Sequence, residues 1–149
     1  MYSESHAQIE LPMQGAVMKR VTGLGGVFFK CNDPEGMKKW YLEHLGIASD
    51  QHGATFRWRD LDEPKKICST VWSPFPSATN YFAPSEKPFM LNYRVENLRK
   101  FLDDLRKEGV KIVGEIEEYD YGKFGWIMDP EGNKIELWEP GDMKVERTP

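Results

Sequence analysis

The side chains able to do chemistry are sparse in this chain, and one carboxylate occupies a telling position. Glu136 lies in KIELWEP, where alternation along an extended strand puts it with Trp138 on one side and Ile135 with Leu137 on the other. The same alternation sorts two further segments. Along GGVFFKC, Val27, Phe29 and Cys31 oppose Gly26, Phe28 and Lys30; along FMLNYRV, Leu91, Tyr93 and Val95 oppose Met90, Asn92 and Arg94. The apolar triplets belong under helices. The mixed sets collect Gly26, Phe28, Lys30, Met90, Asn92, Arg94, Glu136 and Trp138 on one face. One acid, two bases and aromatic rings on a concave sheet is what a small-molecule pocket needs, although a partly solvated sheet face is the plainer reading. An unpaired carboxylate in a cleft is costly, so Arg94 or Lys30 is expected within ion-pair reach of Glu136. There the carboxylate serves as a hydrogen-bond acceptor or a general base, or only as the structural partner of a cation.

Aromatic residues suggest the walls. In EEYDYGKFGW, Tyr119, Tyr121 and Trp126 flank a glycine turn and either line a pocket or pack within a hairpin. Trp72 adds further aromatic surface, and such walls suit planar or cationic ligands. Arg57 and Arg59 alternate with Phe56 and Trp58, so one pair faces inward and the other outward. His44 suits the C-terminal end of a helix, His52 sits in a turn, and His6 lies near the start of the chain. Cys31 and Cys68 have neither disulfide-scaffold nor zinc-finger spacing. The run GLGG is no phosphate loop, because Phe28 stands where a third glycine is needed and no helix follows; it reads instead as a bulge or a close backbone approach.

These residues need elements to hold them. The chain has 149 residues, 40% hydrophobic and 30% charged, enough for one domain with a core and too apolar for disorder. A formal charge of -4 argues against nucleic-acid and membrane-surface binding, and no apolar run is long enough to span a bilayer. The first twenty residues lack the apolar core of a secretory signal and read as a leader, with Met13 and Met18 as alternative starts. Residues 141–149 read as a tail, and a cytoplasmic location is the default. Residues 21–140 form the domain.

Within it a strand-helix unit occurs twice. LGGVFFKC leads through NDPEG into MKKWYLEHLGI, and FMLNYRV leads through EN into LRKFLDDLRKEGV. The first helix puts Met37, Trp40, Tyr41 and Leu45 on one face, with Asp33 as cap, Pro34 at its first position and Gly46 at its end. The second puts Leu98, Phe101, Leu102 and Leu105 on one face between Asn97 and Gly109. Further strands are predicted at 54–60, 67–73 and, more weakly, 79–83, then at 112–119, 123–128 and 133–138. The chain therefore divides into two βαβββ modules, at about 21–83 and 89–140, in an α+β fold. Residues 73–88 link them, and Asp129-Pro130-Glu131-Gly132 makes a type I turn.

GLGGVFFKCNDPEGMKKWYLEHLGI, a second strand-helix unit and the closing DPEGNKIELWEP together resemble the vicinal oxygen chelate superfamily of glyoxalases, bleomycin-resistance proteins and extradiol dioxygenases. The resemblance covers residues 21–140 and implies paired βαβββ modules in a cupped mixed sheet, often as a homodimer. It also implies a divalent metal (zinc, nickel, iron or manganese) held by ligands on three strands. Glu136 matches the last of these positions. Gly26 and Met90 stand at the other two, and the region of a fourth offers Cys68, Ser69 and Thr70. A hydrogen and a thioether do not replace two imidazoles, so the chelate reads as lost and no cofactor is expected unless the ligands are relocated. The resemblance then implies a binding protein for a small aromatic or cationic molecule. Its contacts would come from Phe28, Lys30, Trp72, Asn92, Arg94, Trp126 and Trp138. The alternative is a glyoxalase-like lyase, isomerase or dioxygenase acting on a small oxygenated metabolite, with Glu136 and Tyr121 as acid–base groups.

Overall fold

The structure, a computed structural model, describes residues 20–141. The readings of residues 1–19 as a leader and of the tail beyond Gly141 lie outside the described residues. Elements run in the order β1 (Val21–Cys31), α1 (Pro34–Leu45), β2 (Ala54–Arg59), β3 (Ile67–Pro76), β4 (Phe89–Val95), α2 (Leu98–Lys107), β5 (Lys111–Tyr119), β6 (Gly122–Met128) and β7 (Lys134–Pro140). The strands form one seven-stranded mixed sheet ordered β2-β3-β1-β4-β7-β6-β5. β1 pairs with β3 in parallel and β4 with β7 in parallel, as a helical crossover requires. Antiparallel pairing of β1 with β4 joins the two halves.

Helix ends follow the sequence chemistry. The Asp33 side chain accepts from the Gly36 amide, Pro34 opens α1, and Gly46 closes it at φ 70, a conformation glycine adopts without penalty. Asn97 accepts from the Lys100 amide at the start of α2. Leu98, Leu102 and Leu105 of α2 are buried against Val95 and Leu137, with Tyr93 and Ile135 beside them. The odd-numbered faces of β4 and β7 therefore lie under the helix, as their alternation requires.

Two expectations fail. Residues 79–83 form turns rather than a strand, so the first module has one strand fewer than the second. Tyr81 and Phe82 are instead drawn into aromatic contacts with Phe75 and Trp126, which a strand at the sheet edge would not allow. Helix α1 buries none of its residues: Trp40 and Leu45 are more than half exposed, and Tyr41 is the ring that reaches the sheet, against Trp72.

Candidate functional site

A single row of paired residues crosses the middle of the sheet. Val71 on β3 pairs with Gly26 on β1, Gly26 with Asn92 on β4, Asn92 with Glu136 on β7, and Glu136 with Trp126 on β6. Glu136 thus has Asn92 and Trp126 as its cross-strand neighbours, and its side chain is 2% exposed. Its Oε1 accepts from Asn92 Nδ2 at 2.7 Å, and its Oε2 accepts from Trp126 Nε1 at 2.9 Å. A third donor, the Tyr81 hydroxyl, bonds to Oε2 from the turn segment between the modules.

Burial pushes the Glu136 carboxyl above its ordinary range, against the three donors and the charge of Lys134, which all pull it down. The Tyr81 hydroxyl is raised as well, by burial first and then by the adjacent carboxylate. Lys134 lies two residues before Glu136 on the same side of β7. Its Nζ donates to the Tyr81 carbonyl at 2.8 Å and sits 5.4 Å and 5.5 Å from the Tyr81 and Trp126 ring centroids. Burial lowers the Lys134 amine, and the charges of Glu136 and Glu117 oppose that shift.

Above this floor opens a cleft of about 700 Å³. Phe28, Phe75, Tyr81, Tyr119, Tyr121, Phe124, Trp126 and Trp138 line it, with the carboxylates of Glu136, Glu117 and Asp50. His52, Thr55, Ser69 and Ser73 complete the flank nearest the first module. No lysine or arginine is among the described residues that line it.

The candidate residues sort cleanly against this geometry. Phe28, Asn92, Tyr121, Trp126, Glu136 and Trp138 line the cleft. Trp72 does not: it lies on the helix side of β3, its ring 5.5 Å from Phe29 and 4.6 Å from Tyr41. Lys30 is not among the lining residues, and its ammonium lies over the buried Phe82 ring. The ion pair expected of Arg94 or Lys30 with Glu136 is replaced by the three neutral donors. Arg94 is 2% exposed but points elsewhere, its guanidinium between the Trp58 and Trp138 rings and donating to the Ser69 carbonyl. Tyr121 is half-exposed at the rim and stacks on Tyr119, so the hydroxyl beside Glu136 belongs to Tyr81 instead. Arg57 and Arg59 are exposed and outside the lining.

Two further residues escape a sequence reading. Tyr81 and Lys134 both act on Glu136, one from a turn and one two residues upstream. Parity alone could have marked Lys134.

The three family ligand positions have a definite structure here. A side-chain carbon at Gly26 would fall 2.8 Å from the Phe28 ring, so that ring fills the space a residue there would use. Met90 is fully buried in one cluster with Phe28, Phe82 and Trp126. At Gly25, where the β1–β4 register slips, a side-chain carbon would collide with Asn92 Oδ1 at 2.1 Å. This glycine is the close approach that the GLGG run implied.

The description "Glyoxalase/Bleomycin resistance protein/Dioxygenase superfamily" matches residues 23–137. The chain belongs to that superfamily. Among solved structures, it is similar to methylmalonyl-CoA epimerase from Mycobacterium tuberculosis at 20% identity, covering 88% of this chain and 96% of that one with a TM-score of 0.55. A variant of the Streptomyces coelicolor methylmalonyl-CoA epimerase in complex with 2-nitronate-propionyl-CoA matches at 13% identity, 86% and 99% coverage, and a TM-score of 0.62. A structure described as the NAD-dependent benzaldehyde dehydrogenase from Legionella pneumophila matches at 11% identity, 77% and 97% coverage, and 0.51. At these identities the likeness is one of fold, and the spread of activities makes the same point. No curated protein matches by sequence. Among the described residues, no helix is long and apolar enough to cross a membrane.

Proposed function

We propose that this superfamily member binds a planar aromatic cation in the cleft, with Glu136 as its counter-charge and without a metal ion. The observation that carries the reading is the composition of the lining: eight aromatic rings and three carboxylates, with no lysine or arginine among the described lining residues. Ring faces attract cations, and a desolvated carboxylate attracts them further. An anionic coenzyme A ester, named for the similar epimerases, would face the carboxylates of Glu136, Glu117 and Asp50 in that lining.

The residues at the family's ligand positions do not fit a divalent ion. The Phe28 ring and the Met90 side chain supply apolar packing where imidazoles would stand, and both Glu136 oxygens already accept hydrogen bonds. Among the described residues there is no group of three or more His, Cys, Asp or Glu side chains placed to hold a metal. Trp126, Tyr81 and Asn92 perform in part the task that a metal performs elsewhere, stabilising a buried carboxylate.

One observation favours the alternative, a lyase, isomerase or dioxygenase of glyoxalase type. A buried carboxyl bonded to a tyrosine hydroxyl has the two groups that proton transfer to or from a ligand would need. Turnover of that kind would appear as Glu136-dependent exchange of a ligand C–H with deuterated solvent.

Titration with acridine orange, a planar cation, against anilinonaphthalene sulfonate, a planar anion, tests the binding reading. Fluorescence or calorimetry should show the cation binding tighter by about tenfold or more, equivalent to ~1.4 kcal/mol. Equal affinity, or preference for the sulfonate, would sink it.

A further inference from the structure

The two flanks of the cleft differ in chemistry, and the difference bears on what the ligand carries. Side chains on alternate residues of β3, Ser69, Val71 and Ser73, face the cleft, and Thr55 joins them from β2, paired across to Val71. None of the Thr55, Ser69 and Ser73 hydroxyls has a hydrogen-bond partner among the described residues. Thr70 shows what the opposite side of the same strand does with a hydroxyl: its Oγ1 accepts from Trp58 Nε1 at 2.8 Å and donates to the Leu24 carbonyl at 2.6 Å. Ser73 lines the cleft from the middle of this flank and is 9% exposed as a residue. Hydroxyls open to the cleft and not used by the protein are free to bond a ligand there. On the far flank, Phe124, Trp126 and Trp138 offer ring surface, Phe124 and Trp138 lying within 5° of parallel.

We propose that Thr55, Ser69 and Ser73 form a hydrogen-bonding subsite, so that the ligand is a planar cation with N–H or O–H donors along one edge. This rests on the reading of the cleft as a cation site and specifies the ligand class. Donors are favoured over acceptors because the charges lining the cleft are those of Glu136, Glu117 and Asp50. Serine and threonine oxygens have lone pairs to offer such donors. The ring system lies against the aromatic flank, and the donor edge meets the hydroxyls.

Proflavine and acridine orange separate this proposal from the one beneath it. Both are the same tricyclic cation, but proflavine has two primary amino groups where acridine orange has dimethylamino groups. In the Ser69→Ala/Ser73→Ala double variant, proflavine affinity should fall by about tenfold, the loss expected for two hydrogen bonds, while acridine orange stays within about twofold. Thermal unfolding establishes that the variant is folded, and Thr55→Val, at the cleft mouth, gives a second reading if it is not. That single change should cost proflavine about threefold and leave acridine orange unchanged. Parallel losses for both dyes, or no loss for either, would overturn the subsite while leaving the cation site intact. Binding of neither dye to the unaltered protein would overturn the cation site itself.

Discussion

Glu136→Gln is expected to weaken acridine orange binding by roughly ten- to a hundredfold, the range for losing a charge-assisted contact in a desolvated site. The substitution keeps shape and hydrogen bonding. The new amide oxygen accepts from Trp126 and Tyr81, while its nitrogen faces Asn92. Asn92 has a spare acceptor, because its Oδ1 is buried without a hydrogen-bond partner and a half-turn of the amide presents it to the new nitrogen. The variant should therefore fold, and its stability follows from the direction of the shift. The folded-state carboxyl is raised above its ordinary 4.5, so the stability it confers is full below that value and is lost as pH rises through the folded value. Above that point the glutamine variant escapes the cost of a buried charge and should unfold at a higher temperature than the unaltered protein. Cation affinity runs the other way with pH in the unaltered protein, rising as Glu136 ionises, and should be flat in the variant. Affinity that ignores both the substitution and the pH would mean that the cation does not meet this carboxylate.

Phe82→Ala should cost about 3–5 kcal/mol of stability, the usual range for truncating a fully buried aromatic ring. Phe82 is 0% exposed and packs with Phe28, Met90 and Trp126, its ring 5.2 Å from that of Phe75. For a domain of this size that is a large share of the total, and the midpoint of thermal unfolding should drop on the order of 10 °C or more. The substitution also reaches the site. Phe82 anchors the turn segment that delivers its neighbour Tyr81 to Glu136, so acridine orange affinity should weaken even where the variant is still folded. Phe82→Leu, which restores most of the lost volume, should recover most of both losses. A midpoint within a few degrees of the unaltered protein would show that the segment is held by other contacts.

Alternation along β1, β4 and β7 carried much of the candidate site into view from the residues alone. Glu136, Asn92, Phe28 and Trp138 share a face because a strand has a period of two, and that period survives even the irregular β1–β4 pairing. The caps of α1 and α2 were legible for the same local reason: Asp33, Gly46 and Asn97 act on backbone within a few residues of themselves. The partners of Glu136 were less legible because charge was allowed to stand for geometry. A buried carboxylate needs donors, and a donor need not be a cation. An indole, an amide and a phenol meet that need here.

Tyr81 was hidden because residues 79–83 read as a weak strand, whereas they form coil and turn whose side chains follow no sheet parity. Trp72 was misplaced by composition: a tryptophan suggests a ligand wall, but its parity on β3 sets it opposite Ser73 and under α1. Helix α1 is instructive in the same way. Its spacing of apolar residues is that of a packed helix, yet Trp40 and Leu45 lie exposed. Periodicity names the face and leaves open what covers it.

The measurement that bears most directly on a metal-free cation site is acridine orange binding before and after metal exchange. The purified protein would be analysed for elemental metal content and titrated as isolated, then dialysed against a chelator and titrated again alone and with zinc, nickel, manganese or ferrous iron. The expected result is far less than one metal per chain and a cation affinity that none of the four ions changes. One tightly held metal per chain, with cation binding that appears or disappears along with it, would contradict the account and return Glu136 to the role of a metal ligand.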